Sequence, residues 1–173
     1  MGYKGIHKLV LMLEKKFLPR LTTLIAGENA LGIGVYELMN LKFSLKRNKI
    51  VNYDLSGNDI SPADTDEIFI LRSNKFNIDH LKSLDMSFNP LDDIGLQKLW
   101  GEVWPLQVPK SHHLHGQQLL LVSLNLQNTN IGDHSVAYLT ETFRKDKLEL
   151  LEELNLSTNR ISGVGCNDIV SDS

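Results

Sequence analysis

The sequence predicts an α/β solenoid: a right-handed stack of strand, turn and helix units whose parallel strands form a concave sheet and whose helices lie on the convex side. Two observations predict this class. A pattern of apolar residues closed by asparagine, L-x-x-L-x-L-x-x-N-x-L, recurs along the chain. After each copy the apolar spacing changes from the alternation of a strand to the spacing of a helix face. Each copy therefore encodes one strand and one helix.

The pattern can be read five times. The copies are Leu21, Leu24, Ala26, Asn29, Leu31; Ile50, Tyr53, Leu55, Asn58, Ile60; Leu81, Leu84, Met86, Asn89, Leu91; Leu121, Leu124, Leu126, Thr129, Ile131; and Leu151, Leu154, Leu156, Asn159, Ile161. The asparagine position falls at 29, 58, 89, 129 and 159, so the spacings are 29, 31, 40 and 30 residues. Repeats of this length have room for a true helix after each strand.

The residues that follow each asparagine position predict the helices. A small residue is followed by two apolar residues three apart, which keeps both on one helix face. The sets are Gly34, Val35, Leu38; Gly95, Leu96, Leu99; and Ser135, Val136, Leu139. Two departures are Asp64 at the small position and Thr129 at the asparagine position. We expect the asparagine amides to turn into the stack and bond backbone groups freed at the strand ends, and surface turn asparagines are the alternative.

The domain organisation follows from the repeats. We expect one array over residues 1–173, with a helix or partial repeat at 1–20 and repeats that begin near residues 21, 50, 81, 121 and 151. The spacing of 40 residues predicts an inserted loop at 103–117. Solenoids need capped ends and neither end has an obvious capping repeat, which favours a fragment of a longer array over a minimally capped protein.

Composition and charge restrict the class of function. The chain is 42% hydrophobic and 23% charged, as in folded proteins, and its formal net charge of −3 argues against a nucleic-acid binder. The single cysteine, Cys166, favours an intracellular and cytoplasmic location. Charged residues interrupt the N-terminal segment, which argues against a signal peptide or a membrane partner. No nucleophile elbow or phosphate loop can be read, so we expect no catalysis, cofactor or small-molecule substrate.

Three segments resemble the ribonuclease-inhibitor-like leucine-rich repeat family: LKSLDMSFNPLDDIGLQKL, VSLNLQNTNIGDHSVAYL and LEELNLSTNRISGVG. The resemblance covers nearly the whole chain and implies a curved solenoid that acts mainly as an interaction scaffold. Ran GTPase activators have similar repeats, so a regulator or activator of a small GTPase is the alternative. The chain lacks a strongly acidic C-terminal tail, and the catalytic residues of those activators cannot be placed on it. A resemblance of this kind predicts the fold of a chain far better than its function.

The residues between the buried leucines are expected to line the concave surface, because successive strand side chains alternate faces. These twenty positions are Thr23, Ile25, Gly27, Glu28, Asn52, Asp54, Ser56, Gly57, Ser83, Asp85, Ser87, Phe88, Ser123, Asn125, Gln127, Asn128, Glu153, Asn155, Ser157 and Thr158. Four are acidic and none is lysine or arginine, which predicts a partner with a basic surface. Small polar residues that merely keep the sheet soluble are the alternative.

Nine of these positions are the candidate partner-binding residues: Glu28, Asp54, Asp85, Ser87, Phe88, Asn125, Gln127, Glu153 and Asn155. Phe88 is the aromatic residue of the set, and aromatic anchors are enriched at binding hot spots. Packing of Phe88 against a neighbouring turn is the alternative.

The inserted loop is a second candidate, because long insertions in solenoids often carry function. Its candidate residues are Trp104, His112, His113 and His115. Three histidines could ligate zinc, but no fourth ligand lies nearby in the sequence and the H-H-x-H spacing is not a strong metal pattern. We therefore predict no metal site.

Overall fold

The structure, a computed structural model, describes residues 2–15, 17–39, 49–64, 81–103, 120–144 and 149–164. Within these ranges the elements in chain order are α1 (Gly2–Glu14), β1 (Thr23–Ile25), α2 (Gly34–Met39), β2 (Asn52–Asp54), β3 (Ser83–Asp85), α3 (Asp92–Val103), β4 (Ser123–Asn125), α4 (Asp133–Arg144) and β5 (Glu153–Asn155). Each predicted repeat contains one strand, and α1 lies in the N-terminal segment expected to be helical.

The five strands form one parallel sheet in the order β1-β2-β3-β4-β5. The register pairs the central residues of neighbouring strands, which are Leu24, Tyr53, Leu84, Leu124 and Leu154. Because neighbours along the chain are also neighbours in the sheet, the fold grows by stacking one repeat on the next. The predicted α/β class with a parallel sheet is confirmed, and the right-handed winding stays a prediction.

The core lies between the sheet and the helices. Leu84 and Leu124 are 3% and 1% exposed, and they share one buried cluster with helix residues such as Leu38 and Leu96. The predicted apolar helix positions Val35, Leu38, Leu96, Val136 and Leu139 are all buried. Tyr53 occupies a leucine position and remains buried at 8% exposure, so this departure fits the core.

One boundary of the predicted inserted loop is wrong. Val103 is the last residue of α3 and not the first residue of a loop. The rest of the predicted loop, including Trp104, His112, His113 and His115, lies outside the described residues.

Asp64, at a position where the other repeats have a small residue, starts a helix in a different way. Its Oδ2 accepts the Ser61 amide at 2.8 Å and the Ser61 hydroxyl at 2.6 Å. In return the Asp64 amide donates to Ser61 Oγ at 3.4 Å. This reciprocal arrangement is a capping box, with aspartate in the place of the usual glutamate. The departure in the sequence is therefore a helix-start signal.

The asparagines form a ladder between repeats, and the prediction that their amides turn into the stack is confirmed. Asn89 Nδ2 donates to the carbonyls of Leu55 at 3.0 Å and Met86 at 2.8 Å. Asn89 Oδ1 accepts the amides of Asn58 at 2.9 Å and Ile60 at 3.1 Å. One side chain thus satisfies backbone groups of two repeats in a site with no solvent access.

Thr129 leaves a gap in this ladder. Its hydroxyl donates to the Leu126 carbonyl at 2.7 Å, but it replaces only part of an asparagine amide. The amides of Asn58 and Thr129 each donate to the asparagine of the next repeat. The corresponding Asn89 amide, next to Thr129, has no acceptor among the described residues. A buried amide without an acceptor costs free energy.

Thr129→Asn should raise the free energy of unfolding by about 1 kcal/mol, because the new Oδ1 can accept the Asn89 amide. Urea unfolding measures the change. Thr129→Ala serves as the control and should lower the free energy, because it removes the bond to the Leu126 carbonyl. A loss of stability in Thr129→Asn equal to that in Thr129→Ala would contradict the explanation.

Candidate partner-binding face

We call the twenty positions between the buried leucines, named above, the polar sheet face. In β2, β3 and β4 the central residue is buried and the two residues beside it are partly exposed. β1 is more open, because Thr23 and Ile25 are both exposed. The strands therefore present a polar surface on the side of the sheet opposite the core, as the alternation in the sequence predicts.

Ser87 does not belong to the accessible surface, so its placement among the surface residues is wrong. The residue is only 2% exposed. Its amide and its hydroxyl both donate to Asp85 Oδ1, at 2.8 and 2.6 Å. These two bonds hold the serine against its own turn, where it supports Asp85.

The same turn ends four of the five strands, and sequence reasoning missed it. The side-chain Oδ1 of the last strand residue accepts the amide two residues later. The pairs and distances are Asp54 and Ser56 (3.0 Å), Asp85 and Ser87 (2.8 Å), Asn125 and Gln127 (3.1 Å), and Asn155 and Ser157 (3.1 Å). This is an Asx turn, which aspartate and asparagine both form. The recurring Asp or Asn two residues before Ser or Gln was its signal in the sequence.

Cross-strand bonds distinguish the two aspartates of this row. Asn125 Nδ2 donates to Asp85 Oδ2 at 2.8 Å, so both carboxylate oxygens of Asp85 are engaged. Asp54 Oδ1 accepts the Ser56 amide and hydroxyl. Asp54 Oδ2 has no donor among the described residues. Of these two aspartates, Asp54 therefore keeps the larger capacity to accept a bond from a partner.

A depression of about 520 Å³ crosses the face from β3 to β5. Its charged lining residues are Asp85, Glu152 and Glu153, and its neutral polar ones include Asn125 and Asn155. The structure thus brings four of the candidate residues, Asp85, Asn125, Glu153 and Asn155, together from three strands. All three charges in the depression are negative, which favours a cationic group there.

Each strand is followed, just before the asparagine position, by a residue in the left-handed region. The residues and φ values are Glu28 (56°), Gly57 (57°), Phe88 (58°), Asn128 (51°) and Thr158 (59°). Only glycine adopts this conformation without strain, and asparagine tolerates it better than phenylalanine does. Phe88 is 54% exposed, so a large part of its side chain is available to a partner.

Ile25 also lies on the polar sheet face. The alternation in the sequence places it there, but it is not among the nine candidate partner-binding residues. It is 74% exposed and pairs in register with Asp54. The corresponding positions in the other strands are aspartate or asparagine. An isoleucine at a position that is otherwise polar was the signal that could have identified it.

A second, smaller depression of about 270 Å³ lies between α3 and α4. Its lining includes Asp93, Ile94, His134, Ser135 and Tyr138. Ile94 is 56% exposed, and burial raises the pKa of the Tyr138 hydroxyl. This depression belongs to the helix side, and two of its polar residues, Asp93 and Ser135, bond to each other between repeats.

Asp93 joins these two repeats by hydrogen bonds on the helix side. Its Oδ1 accepts the amides of Gly132 at 2.8 Å and Ser135 at 3.1 Å, and also the Ser135 hydroxyl. Burial by itself raises the pKa of Asp93. The bonds from Ser135 and Gly132, together with the charge of His134, outweigh burial and hold the pKa below its ordinary value of 3.8.

Asp93→Asn should lower the free energy of unfolding at neutral pH, and the difference from the original chain should shrink as the solution is acidified. A carboxylate with a lowered pKa stabilises the fold above its unfolded pKa, and this contribution is lost as the pH falls through the folded pKa. Urea unfolding from about pH 7 to about pH 2 measures the difference. A difference that stays constant over this range would contradict the assignment.

The described residues contain no group of three or more histidine, cysteine, aspartate or glutamate side chains able to hold a metal ion. A search of the helices in the same residues found none with the length and hydropathy needed to cross a membrane.

Comparison with known proteins supports the repeat assignment. Residues 79–99 and 147–170 match the family model described as Leucine Rich repeat. A search of curated proteins gave no match. The first segment contains β3 and the start of α3, and the second contains β5. With the five-stranded parallel sheet, these two matches support a leucine-rich repeat protein. The ribonuclease-inhibitor-like subtype stays a prediction.

Proposed function

We propose that this leucine-rich repeat protein is an interaction scaffold that holds another protein against the polar sheet face. Proteins with such repeats are typically interaction modules and not enzymes. The observation that carries the proposal is the charge of the face: four of its twenty positions are acidic and none is lysine or arginine. A surface of one sign, with a depression of about 520 Å³, suits a partner of the opposite sign.

The proposed contact residues are the predicted set without Ser87. They are Glu28, Asp54, Asp85, Phe88, Asn125, Gln127, Glu153 and Asn155. The carboxylates would attract a basic protein surface, the amides would donate and accept hydrogen bonds, and Phe88 would supply an apolar contact. The partner chemistry that this set supports is therefore a basic, partly apolar protein surface.

The alternative, a face that is polar only for solubility, predicts no dependence of binding on these residues. The two explanations differ at Asp54 and Asp85, because solubility requires polarity but no particular charge pattern. The GTPase-activator alternative rests on the resemblance alone, and none of the described residues provides an observation that favours it. Partner binding through Trp104 and the histidines of the inserted loop stays a prediction. An intracellular location also stays a prediction.

Replacing Asp54 and Asp85 together by asparagine should slow association with a captured partner and flatten the salt dependence of the rate. The free energy of unfolding should fall by only about 1 kcal/mol, because asparagine forms the same turn but its amide nitrogen cannot accept the bond that Asn125 Nδ2 donates to Asp85 Oδ2. Partners are identified by affinity capture and mass spectrometry, and biolayer interferometry at several salt concentrations then measures the rates.

The matched control removes two charges away from the face, by Glu14→Gln and Asp59→Asn. Both residues are exposed, and asparagine tolerates the left-handed backbone of Asp59. This control should leave association rate and salt dependence unchanged. Equal effects of the two double variants would mean that net charge, and not the polar sheet face, determines association.

Phe88→Asn should weaken partner binding while preserving the fold. Asn128 occupies the corresponding left-handed position in the next repeat, so asparagine is compatible with this backbone. The exposed ring is lost, and we expect a loss of about 1–2 kcal/mol in binding free energy, measured by calorimetry. Asn128→Gly is a control on the same row that removes no apolar side chain and suits the left-handed backbone. Unchanged affinity in Phe88→Asn would exclude the ring as an anchor.

A further inference from the structure

We infer that the polar sheet face contains a subsite for one cationic side chain of the partner, an arginine or a lysine, bounded by Ile25, Glu28, Asp54 and Phe88. We call these four residues the cation subsite. The inference rests on the proposed function and deepens it, because it names the chemistry of the group that is recognised and its place on the face.

The charge of Asp54 is not required by the fold. In its turn, Asp54 Oδ1 accepts the amide and the hydroxyl of Ser56, at 3.0 and 2.6 Å. Asn155 Oδ1 accepts the same two groups of Ser157, at 3.1 and 2.5 Å. A neutral amide therefore makes this turn equally well within the same chain. The charge at Asp54 is left with no structural role in the turn.

The second oxygen of Asp54 is available, whereas that of Asp85 is not. Asn125 Nδ2 donates to Asp85 Oδ2, while Asp54 Oδ2 has no donor in the described ranges. The neighbour of Asp54 on its other side is Ile25, which has no polar side-chain atom to offer. An ionic hydrogen bond from a partner cation can thus form at Asp54 without breaking a bond of the fold.

An apolar surface lies directly beside this carboxylate. Ile25 is 74% exposed and is paired with Asp54 in the register of β1 and β2. Arginine and lysine bury an aliphatic stem while the charged head stays with polar partners. Ile25 can contact such a stem, and Asp54 can accept the head. The pairing of an exposed aliphatic residue with an uncompensated carboxylate matches this one type of side chain.

Two glycines allow the side chains of the first two repeats to lie close to the backbone here. A Cβ atom at Gly27 would lie 2.7 Å from Ser56 Oγ and 3.2 Å from Asp54 Oδ1. A Cβ atom at Gly57 would lie 3.2 Å from Glu28 Cγ. Glu28 thus lies against Gly57, and Gly57 stands between Glu28 and Phe88 in the row of left-handed residues. Glu28 adds a second carboxylate, and an aromatic ring can contact a guanidinium group.

The test is an NMR titration of the full chain with two peptides that differ only in charge: acetyl-Leu-Arg-Leu-amide and its citrulline counterpart. Citrulline keeps the shape of arginine but is neutral. We expect amide shifts at Ile25, Glu28, Asp54 and Phe88 with the arginine peptide, and binding weaker by about fivefold or more with the citrulline peptide. Equal binding of both peptides overturns the subsite.

Variants locate the interaction. Asp54→Asn should weaken binding of the arginine peptide about fivefold. Ile25→Thr should weaken it about threefold, and threonine suits this strand because it has the strand preference of the neighbouring Thr23. Asp85→Asn should have a smaller effect than Asp54→Asn, and the control Asp59→Asn should have none. Equal losses in Asp54→Asn and Asp85→Asn would overturn the assignment of the free Asp54 oxygen. Unfolding curves of each variant confirm that the fold is retained.

The same titration separates failure of the subsite from failure of the proposed function. Shifts confined to Asn125, Gln127 and Asn155 with both peptides would overturn the cation subsite and leave the polar sheet face as the binding surface. Shifts confined to the helix side, around Ile94 and His134, would overturn both. Shifts at the four subsite residues that disappear in Asp54→Asn support the subsite and the proposed function together.

Discussion

The asparagine ladder is the contact on which the rest of this structure depends. A short strand buries too few side chains to be stable alone, and each of the five strands is three residues long. The asparagine amides bond the backbone of two repeats at once, as Asn89 does with Leu55 and Met86. These bonds fix where each strand stops and keep neighbouring strands in register. The rows of side chains on the polar sheet face follow from that register.

Because the ladder keeps the repeats aligned, equivalent positions in neighbouring repeats can be compared directly. The last strand position is Ile25, Asp54, Asp85, Asn125 and Asn155 along the sheet. The backbone environment is nearly the same at each, so a residue that the fold requires should recur and a residue with another role need not. The Asx turn recurs from Asp54 onward, whereas the negative charge does not. This separation distinguishes the groups that stabilise the turn from those that are free to bind.

The sequence was sufficient for the properties that repeat. Alternation predicted the strands, helical spacing predicted the buried Val35, Leu96 and Val136, and the recurring asparagine predicted a ladder. All three depend on local spacing that stacking then preserves. The candidate site was predictable only in part. Alternation places a side chain on a face but gives no information about its bonds, so it could not distinguish buried Ser87 from exposed Phe88.

The departures from the pattern carry different meanings, and only the contacts separate them. Thr129 weakens the ladder, because its hydroxyl reaches the Leu126 carbonyl but leaves the Asn89 amide without an acceptor in the described part. Asp64 builds a capping box with Ser61, so a residue that breaks the repeat pattern stabilises a helix start. Ile25 exposes apolar surface on the polar sheet face, which costs free energy in water. Of the three, Ile25 is the departure that folding explains least and that binding explains best.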